Sequence, residues 1–121
     1  MAEIKQTTVL IQSPPFNRIS GKEGIDLALV CAAFDHQVNL VFIDLGIFHL
    51  KNNQLDDMIK DKLHDKQLNA LKFYDIENMF VESESLQAHQ LQQKNLIDSA
   101  SLIDRKQINQ LCQQSQHVFI Y

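Results

Sequence analysis

Short apolar runs rich in β-branched residues alternate with helical patterns along this chain, and this alternation restricts the possible folds more than any other feature. Strands are predicted over residues 7–12 (TTVLIQ), 38–45 (VNLVFIDL), 78–82 and 117–121 (HVFIY), with a further short strand within 95–100. The first two runs are almost continuously apolar, which is typical of strands buried on both faces of a parallel sheet.

Helical patterns fill the intervals between the predicted strands. They cover residues 21–34, 67–74, 85–93 and 104–114. Ser20 with Glu23, and Asp104 with Gln107, have the spacing of a capping box at the start of the first and last helix. This order predicts the α/β class, as a three-layer sandwich with a mostly parallel sheet of about five strands. A length of 121 residues fits a single domain over 1–121.

The first predicted helix is apolar on almost every side. Between Ile25 and Phe34 only Asp26 is polar, whereas a helix that covers one face of a small sheet should leave roughly half of its circumference in water. We therefore expect another subunit to cover its outer side; the alternative is that its small alanines are harmlessly exposed. The residues expected at the partner interface are Phe16, Ile25, Leu29, Phe34 and Phe48.

The charge balance indicates what this chain does not bind directly. Eleven Lys and Arg residues stand against fifteen Asp and Glu residues, a formal net charge of -4. A protein that binds nucleic acid normally needs a basic patch to displace counterions from phosphates. In the segment 57–66 the lysines are interleaved with aspartates, which is typical of a solvated mixed face. Direct nucleic-acid binding is therefore not expected.

The two cysteines and the N-terminal residues predict a reducing compartment. Cys31 and Cys112 are far apart, lie in helical patterns and have neither metal-site nor disulfide-framework spacing, so both are expected to be inert. The first residues lack the apolar core of a signal peptide, and no apolar run approaches the length of a membrane span. A cytoplasmic protein is the simplest interpretation.

The sequence lacks the spacings that are typical of nucleotide-binding and metal-binding motifs. The GKEG stretch at 21–24 lies where a phosphate loop would lie, but Phe16 replaces the first glycine of a Walker loop and Glu23 follows the lysine. No cofactor is predicted. The histidines lack HxH or HxxxH spacing, so no metal site is predicted either. Each histidine is expected on the surface or in a loop: His36, His49, His64, His89 and His117.

The stretch FVESESL at 80–86 marks the end of a predicted strand, which is where an open α/β sheet usually carries its chemistry. Glu82 and Glu84 are candidates for a general acid and base. The simpler hypothesis is structural: Ser83 or Ser85 caps the next helix, and Glu84 lies near the positive N-terminus of that helix.

Three stretches together resemble a known family. GKEGIDLAL at 21–29, FIDLGIF at 42–48 and LKFYDIENMFV at 71–81 are similar to the DsrE/F/H-like proteins, and more narrowly to the DsrF/TusC branch. The similarity includes the acidic helix start, the glycine and phenylalanine after the second strand, and the run at 74–77. It spans nearly the whole chain.

The resemblance implies a flavodoxin-like fold and a place in a sulfur-relay complex. It implies a heterohexamer with TusB-like and TusD-like subunits, which receives persulfide sulfur from a TusA-like donor and passes it to a TusE-like acceptor. The sulfur is destined for 2-thiouridine at the tRNA wobble position. A sister Dsr complex acts in sulfur oxidation, and the resemblance leaves both roles open.

The resemblance also implies that this chain lacks the sulfur-carrying residue. In the TusD-like subunit a cysteine lies just after the strand that corresponds to 78–82, at or near Glu82, and this chain has no cysteine from Lys72 to Gln93. We therefore predict a non-catalytic structural subunit. Three alternatives remain: an enzyme using Glu82 and Glu84, sulfur transfer by Cys31 or Cys112, and a self-associating module.

Overall fold

A sheet of five parallel strands forms the centre of the protein. The computed structural model describes residues 5–15, 20–50, 76, 78–96 and 100–121. The strands are β1 (Gln6–Ile11), β2 (Gln37–Phe42), β3 (Asn78–Glu82), β4 (Ser101–Ile103) and β5 (His117–Ile120). Their order across the sheet is β4-β3-β2-β1-β5, and every neighbouring pair is parallel.

Three α-helices and two 3₁₀ segments connect the described strands. The helices are α1 (Ser20–Ala33), α2 (Ser83–Ala88) and α3 (Arg105–Gln114). The 3₁₀ segments are Asp44–Leu50, which follows β2 closely, and Gln93–Asn95. Asp104 caps α3 and exchanges hydrogen bonds with Gln107, as the sequence predicts: the Gln107 N–H donates to Asp104 Oδ1 over 2.8 Å, and the Asp104 N–H donates to Gln107 Oε1 over 2.9 Å.

The helices lie on two sides of the sheet because of the direction in which the chain crosses it. From β1 to β4 each strand is added on the same side of its predecessor, and β5 then returns to the far side of β1. Right-handed crossovers therefore place α1 and α2 on one face and α3 on the other. Residues of α1 and α2, such as Ile25 and Leu86, pack with Val9 and Phe42 in one core cluster. Ile108 of α3 packs in a second cluster, on the opposite face.

Most predicted boundaries agree with the structure to within one or two residues, but two differ. The second strand ends at Phe42 rather than at residue 45, because Asp44 takes a positive φ of 49° and opens the 3₁₀ segment. The helix predicted over 85–93 begins at Ser83 and ends at Ala88. The short strand predicted within 95–100 is not tested, because residues 97–99 lie outside the described residues; the next described strand begins at Ser101. The helix predicted over 67–74 lies outside the described residues.

Gly46 lets the 3₁₀ segment pass directly over the end of β1. A Cβ atom at this position would lie 1.9 Å from the carbonyl oxygen of Ile11. Such an overlap with backbone atoms cannot be relieved by a side-chain rotation, so only glycine fits here. The close approach joins the carboxyl ends of β1 and β2, next to the end of β3.

A row of polar side chains fixes the register at the amino end of the sheet. Thr8, Asn39 and Asn78 are direct neighbours across β1, β2 and β3. Asn39 Nδ2 donates to Thr8 Oγ1 over 3.3 Å, and Asn78 Nδ2 donates to Asn39 Oδ1 over 3.1 Å. Thr8 and Asn39 are buried. A slip of one residue would leave these polar groups unpaired in the core, so the row favours this register.

Candidate functional site

The carboxyl end of β3 is the place where the fold brings polar side chains together. Within this strand Met79 and Val81 point towards α1, whereas Phe80 and Glu82 point towards α3. Glu82 is the last residue of the strand and lies opposite Ile103 of β4. Its side chain is only 6% exposed, so the carboxylate needs partners inside the protein.

Glu82 finds these partners on α2 and α3. Ser85 Oγ donates a hydrogen bond to Glu82 Oε1 over 2.5 Å. Arg105 Nε donates to Oε2 over 3.3 Å and Arg105 Nη2 donates to Oε1 over 3.4 Å. The guanidinium thus engages both oxygens of the carboxylate, a geometry that arginine provides and lysine does not. The hydrogen bond with Glu82 raises the pKa of Arg105 above its ordinary value.

Ser85 extends this contact to the loop after β2. Its hydroxyl is buried, and it accepts a hydrogen bond from the backbone N–H of Asp44 over 2.8 Å while it donates to Glu82. One hydroxyl therefore holds the Asp44 turn, with its positive φ, against the end of β3.

Glu84 joins the same group of residues from the surface. Its Oε2 atom accepts a hydrogen bond from the backbone N–H of Arg105 over 3.1 Å, and its Oε1 atom accepts one from the Ser83 hydroxyl over 2.8 Å. These two bonds, the first more than the second, lower the pKa of Glu84 below its ordinary value. We refer to Glu82, Glu84, Ser85 and Arg105 as the strand-end cluster.

The strand-end cluster corrects the predicted capping roles. Glu82 itself occupies the N-cap position of α2, and neither Ser83 nor Ser85 caps that helix. Glu84 lies in the first turn of α2, as predicted, and its carboxylate also accepts a hydrogen bond from the first amide of α3. The residue that sequence reasoning missed is Arg105, because nothing local shows that β4 ends beside β3. The sheet order alone supplies that signal.

The arrangement is suited to holding elements together. Glu82 is buried and already bound by two side chains, and Glu84 is bound by a helix amide. Both carboxylates thus act as hydrogen-bond acceptors for groups of the same chain. None of the four residues of the strand-end cluster carries a thiol. The end of β3 is instead occupied by the ion pair of Glu82 with Arg105.

The two cysteines lie away from this cluster, on opposite faces of the sheet. Cys31 packs against the core cluster beneath α1, and Cys112 packs against the cluster beneath α3. Both are half-buried. Burial raises the pKa of each thiol above its ordinary value, which lowers the fraction present as the nucleophilic thiolate.

The residues predicted for a partner interface are placed in different environments. Phe34, at the end of α1, is 75% exposed and is therefore the best candidate for a partner contact among them. Leu29 and Phe48 are half-buried, and the ring of Phe48 lies edge-on to His89. Ile25 is fully buried in the core, so its side chain cannot also contact another chain in this conformation. Phe16 lies outside the described residues.

His49 is a correction, because a surface or loop position was expected for every histidine. It is buried in the 3₁₀ segment, with Nε2 2.8 Å from the carbonyl oxygen of Ser13. Its ring lies 6.0 Å from that of Phe42, and a Cβ atom on Gly21 would collide with it. His49 therefore fills the space between the end of β1 and the start of α1. His64 lies outside the described residues.

Two further findings bear on the class of protein. Within the described ranges, His, Cys, Asp and Glu side chains form no group of three or more that could hold a metal ion. In the same ranges, no helix has the length and apolar character needed to cross a membrane. What these residues form is a parallel α/β sandwich whose strand-end position holds an ion pair.

Comparison with known proteins agrees with this class and gives the family. Residues 5–121 match the DsrE/DsrF-like family, and the chain belongs to that family. The ychN protein of E. coli has a similar structure, with a TM-score of 0.81 over 98% of this chain and 100% of that one, at 11% sequence identity. The fold is flavodoxin-like, as expected.

Relatives in sequence come from the branch that the sequence resembles. A protein named TusC homolog from Vibrio parahaemolyticus is 32% identical over 112 residues, which cover 93% of this chain and 95% of that protein. The intracellular sulfur oxidation protein DsrF of Allochromatium vinosum is 26% identical, covering 98% of this chain and 97% of its own length.

Proposed function

We propose that this protein is a non-catalytic subunit of a cytoplasmic sulfur-relay complex that supports 2-thiouridine synthesis at the tRNA wobble position. Its expected partners are TusB-like and TusD-like subunits in a heterohexamer, with a TusA-like donor and a TusE-like acceptor acting on the complex. The observation that carries the proposal is the ion pair of Glu82 with Arg105 at the end of β3.

This observation carries the proposal because a sulfur relay needs a thiol at the transfer point. A carboxylate cannot form a persulfide, and this one is buried and bound to Ser85 and Arg105. The half-buried cysteines with raised pKa values are poor substitutes. The similarity to TusC homologs supports the placement in a relay, since the subunit would then shape the assembly while a partner carries sulfur.

The exposed side chains at the end of α1 support the assembly part of the proposal. Val30 and Phe34 lie one helical turn apart and are 52% and 75% exposed. Large apolar side chains in a contiguous exposed patch mark interaction surfaces. We place a contact with one of the related subunits at this patch.

Co-expression tests the assembly directly. With TusB-like and TusD-like partners, the protein should be recovered in one species of fixed stoichiometry by native mass spectrometry. Phe34→Ser should reduce recovery of that species, whereas Ala33→Ser, an exposed change on the same helix, should not. Recovery of the protein as a separate species that ignores both partners would contradict the proposal.

The non-catalytic role has its own test in cells. A strain lacking this gene should lose wobble 2-thiouridine, and the double variant Cys31→Ser, Cys112→Ser should restore it as well as the unchanged protein does. Restoration by the unchanged protein alone, together with a persulfide found on Cys112 by mass spectrometry, would show that this chain carries sulfur itself.

A role in sulfur oxidation is the second candidate, and the similarity to DsrF over 98% of the chain favours it. The two roles predict different losses in the deleted strain. Unchanged tRNA thiolation with impaired oxidation of stored sulfur would assign the second role. An acid and base pair formed by Glu82 and Glu84 is not favoured, because both carboxylates are already bound within the strand-end cluster.

A further inference from the structure

The outer edge of β5 differs from ordinary sheet edges. All four residues of β5 are exposed, and three of them are large and apolar: Val118 is 40% exposed, Phe119 38% and Ile120 59%. Natural proteins usually protect edge strands with charges, prolines or bulges. The register of β5 with β1 is continuous, and the strand has neither proline nor a Lys, Arg, Asp or Glu residue.

The backbone of β5 presents unpaired groups on this outer side. Tyr121 donates its N–H to Leu10 and accepts from the N–H of Gln12, so its backbone groups point towards β1. Backbone direction alternates along a strand, and Phe119 therefore also points inward while Val118 and Ile120 point outward. Among the described strands none lies on the outer side of β5, so the outward N–H and C=O groups of these two residues belong to no ladder there.

We propose that β5 pairs with β5 of a second copy of this chain, antiparallel and about a two-fold axis at Phe119. In this arrangement Val118 lies opposite Ile120 of the other copy, and the reverse. Each of these two pairs can exchange both hydrogen bonds, so all outward groups of Val118 and Ile120 are satisfied. Val118 and Ile120 also share one sheet face, which places apolar side chains against each other across the axis.

Charge favours a second copy as the occupant. The chain has a formal net charge of -4, so copies of it generally repel. Residues 107–121, which include β5 and most of α3, contain no Lys, Arg, Asp or Glu. Two such neutral surfaces can meet without like-charge contacts, and the absence of charge offers nothing to attract a strongly charged partner.

The opposite edge of the sheet completes the argument. There β4 has only three residues and is followed by Asp104, Arg105 and Lys106. Short strands and neighbouring charges disfavour edge pairing. Pairing about a two-fold axis through β5 joins two sheets into one, and both edges of the joined sheet are then β4. Because β4 disfavours pairing, the assembly stops at two copies.

A proline variant tests the pairing without disturbing the sheet. In Ile120→Pro the lost N–H points outward, and proline is tolerated on an edge strand at such a position. By light scattering across a dilution series into the high micromolar range, the isolated protein should reach twice the monomer mass and Ile120→Pro should stay monomeric. Gln87→Ala, a change of an exposed residue on α2, should dimerise like the unchanged protein.

Cross-linking tests the register. The two-fold axis places position 119 opposite itself, as a non-hydrogen-bonded pair with Cα atoms about 4.5 Å apart, within the range that a disulfide spans. In a background without Cys31 and Cys112, Phe119→Cys should form a disulfide-linked dimer under mild oxidation by dissolved oxygen with a copper catalyst. Leu102→Cys, on the opposite edge, should not.

Three results would overturn the proposal. They are a monomer throughout the dilution series, an Ile120→Pro variant that dimerises as well as the unchanged protein, and equal cross-linking at positions 119 and 102. A monomer whose recovery with TusB-like or TusD-like subunits is abolished by Ile120→Pro would assign the edge to a different chain. The self-pairing does not depend on the sulfur-relay role, so either proposal can fail without the other.

Discussion

The carboxyl end of β3 and the outer edge of β5 are both places where a parallel sheet leaves polar groups without partners from the ladder. At the end of β3, Glu82 accepts hydrogen bonds from Ser85 and Arg105, so partners from the same chain occupy the strand end. Along β5 no described strand lies beside the outward groups of Val118 and Ile120, and their apolar side chains are exposed. The comparison teaches that side chains of the same chain can bind the polar groups at a strand end, whereas the outward backbone groups of an edge strand can be paired only by a further strand.

The largest loss of stability should come from removing the hydroxyl at the centre of the strand-end cluster. In Ser85→Ala, Glu82 loses a short hydrogen bond and the N–H of Asp44 loses its acceptor. Since a hydrogen bond to a charged group contributes about 1.5–3 kcal/mol, we expect the free energy of unfolding to fall by about 2–3 kcal/mol. Urea denaturation followed by circular dichroism measures it. Ser83→Ala, which removes a part-buried hydrogen bond to the neighbouring Glu84, is the control and should cost less.

A proline pair on β5 tests which groups face outward. Phe119→Pro removes an N–H that points towards β1 and leaves a ladder carbonyl without its donor, which should cost about 1–3 kcal/mol more than Ile120→Pro. Both variants are compared with the unchanged protein by thermal and urea unfolding, at a concentration where all are monomeric. Equal losses for the two variants would contradict the assigned direction of the strand, and with it the proposed register.

In the strand-end cluster, the guanidinium of Arg105 should contribute less to the free energy of unfolding than the hydroxyl of Ser85. Arg105→Ala leaves the buried Glu82 with Ser85 as its partner, but Arg105 is 65% exposed, so water screens the ion pair. We therefore expect Arg105→Ala to lower the free energy of unfolding by less than Ser85→Ala does. Arg105→Lys should recover part of it, because lysine keeps the charge and cannot bind both oxygens in the same way. Lys106→Ala, an exposed neighbour, should be nearly neutral.

The same two regions show how far the sequence predicts the structure. Periodicity and β-branched runs predicted the α/β class and β3, and the Asp104 capping box predicted the start of α3. These are local signals, and they concern residues close together in the chain. The contact of Glu82 with Arg105 joins residues 23 positions apart and depends on β4 lying beside β3. The position of β5 at an edge depends on the same strand order.

The first helix shows the other limit of sequence reasoning. Its nearly continuous apolar pattern predicts cover on both sides, but the pattern cannot say which residues face the sheet. Ile25 and Ala28 turned out to be core residues, while Val30 and Phe34 are exposed. That division depends on the angle at which the helix packs on β1 and β2, which only the tertiary structure gives.

The smallest predicted effect concerns Glu84 and its dependence on pH. The N–H of Arg105 and the hydroxyl of Ser83 lower the pKa of this carboxyl in the folded protein. The unfolded chain therefore takes up this proton at a higher pH than the folded protein does, and the stability contributed by Glu84 is present above the unfolded pKa. It is lost as the pH falls through the lowered, folded pKa. The difference in free energy of unfolding between the protein and Glu84→Gln should accordingly be small at neutral pH and decline in acid. A difference that grows on acidification would show that Glu84 does not stabilise the start of α3 as a carboxylate.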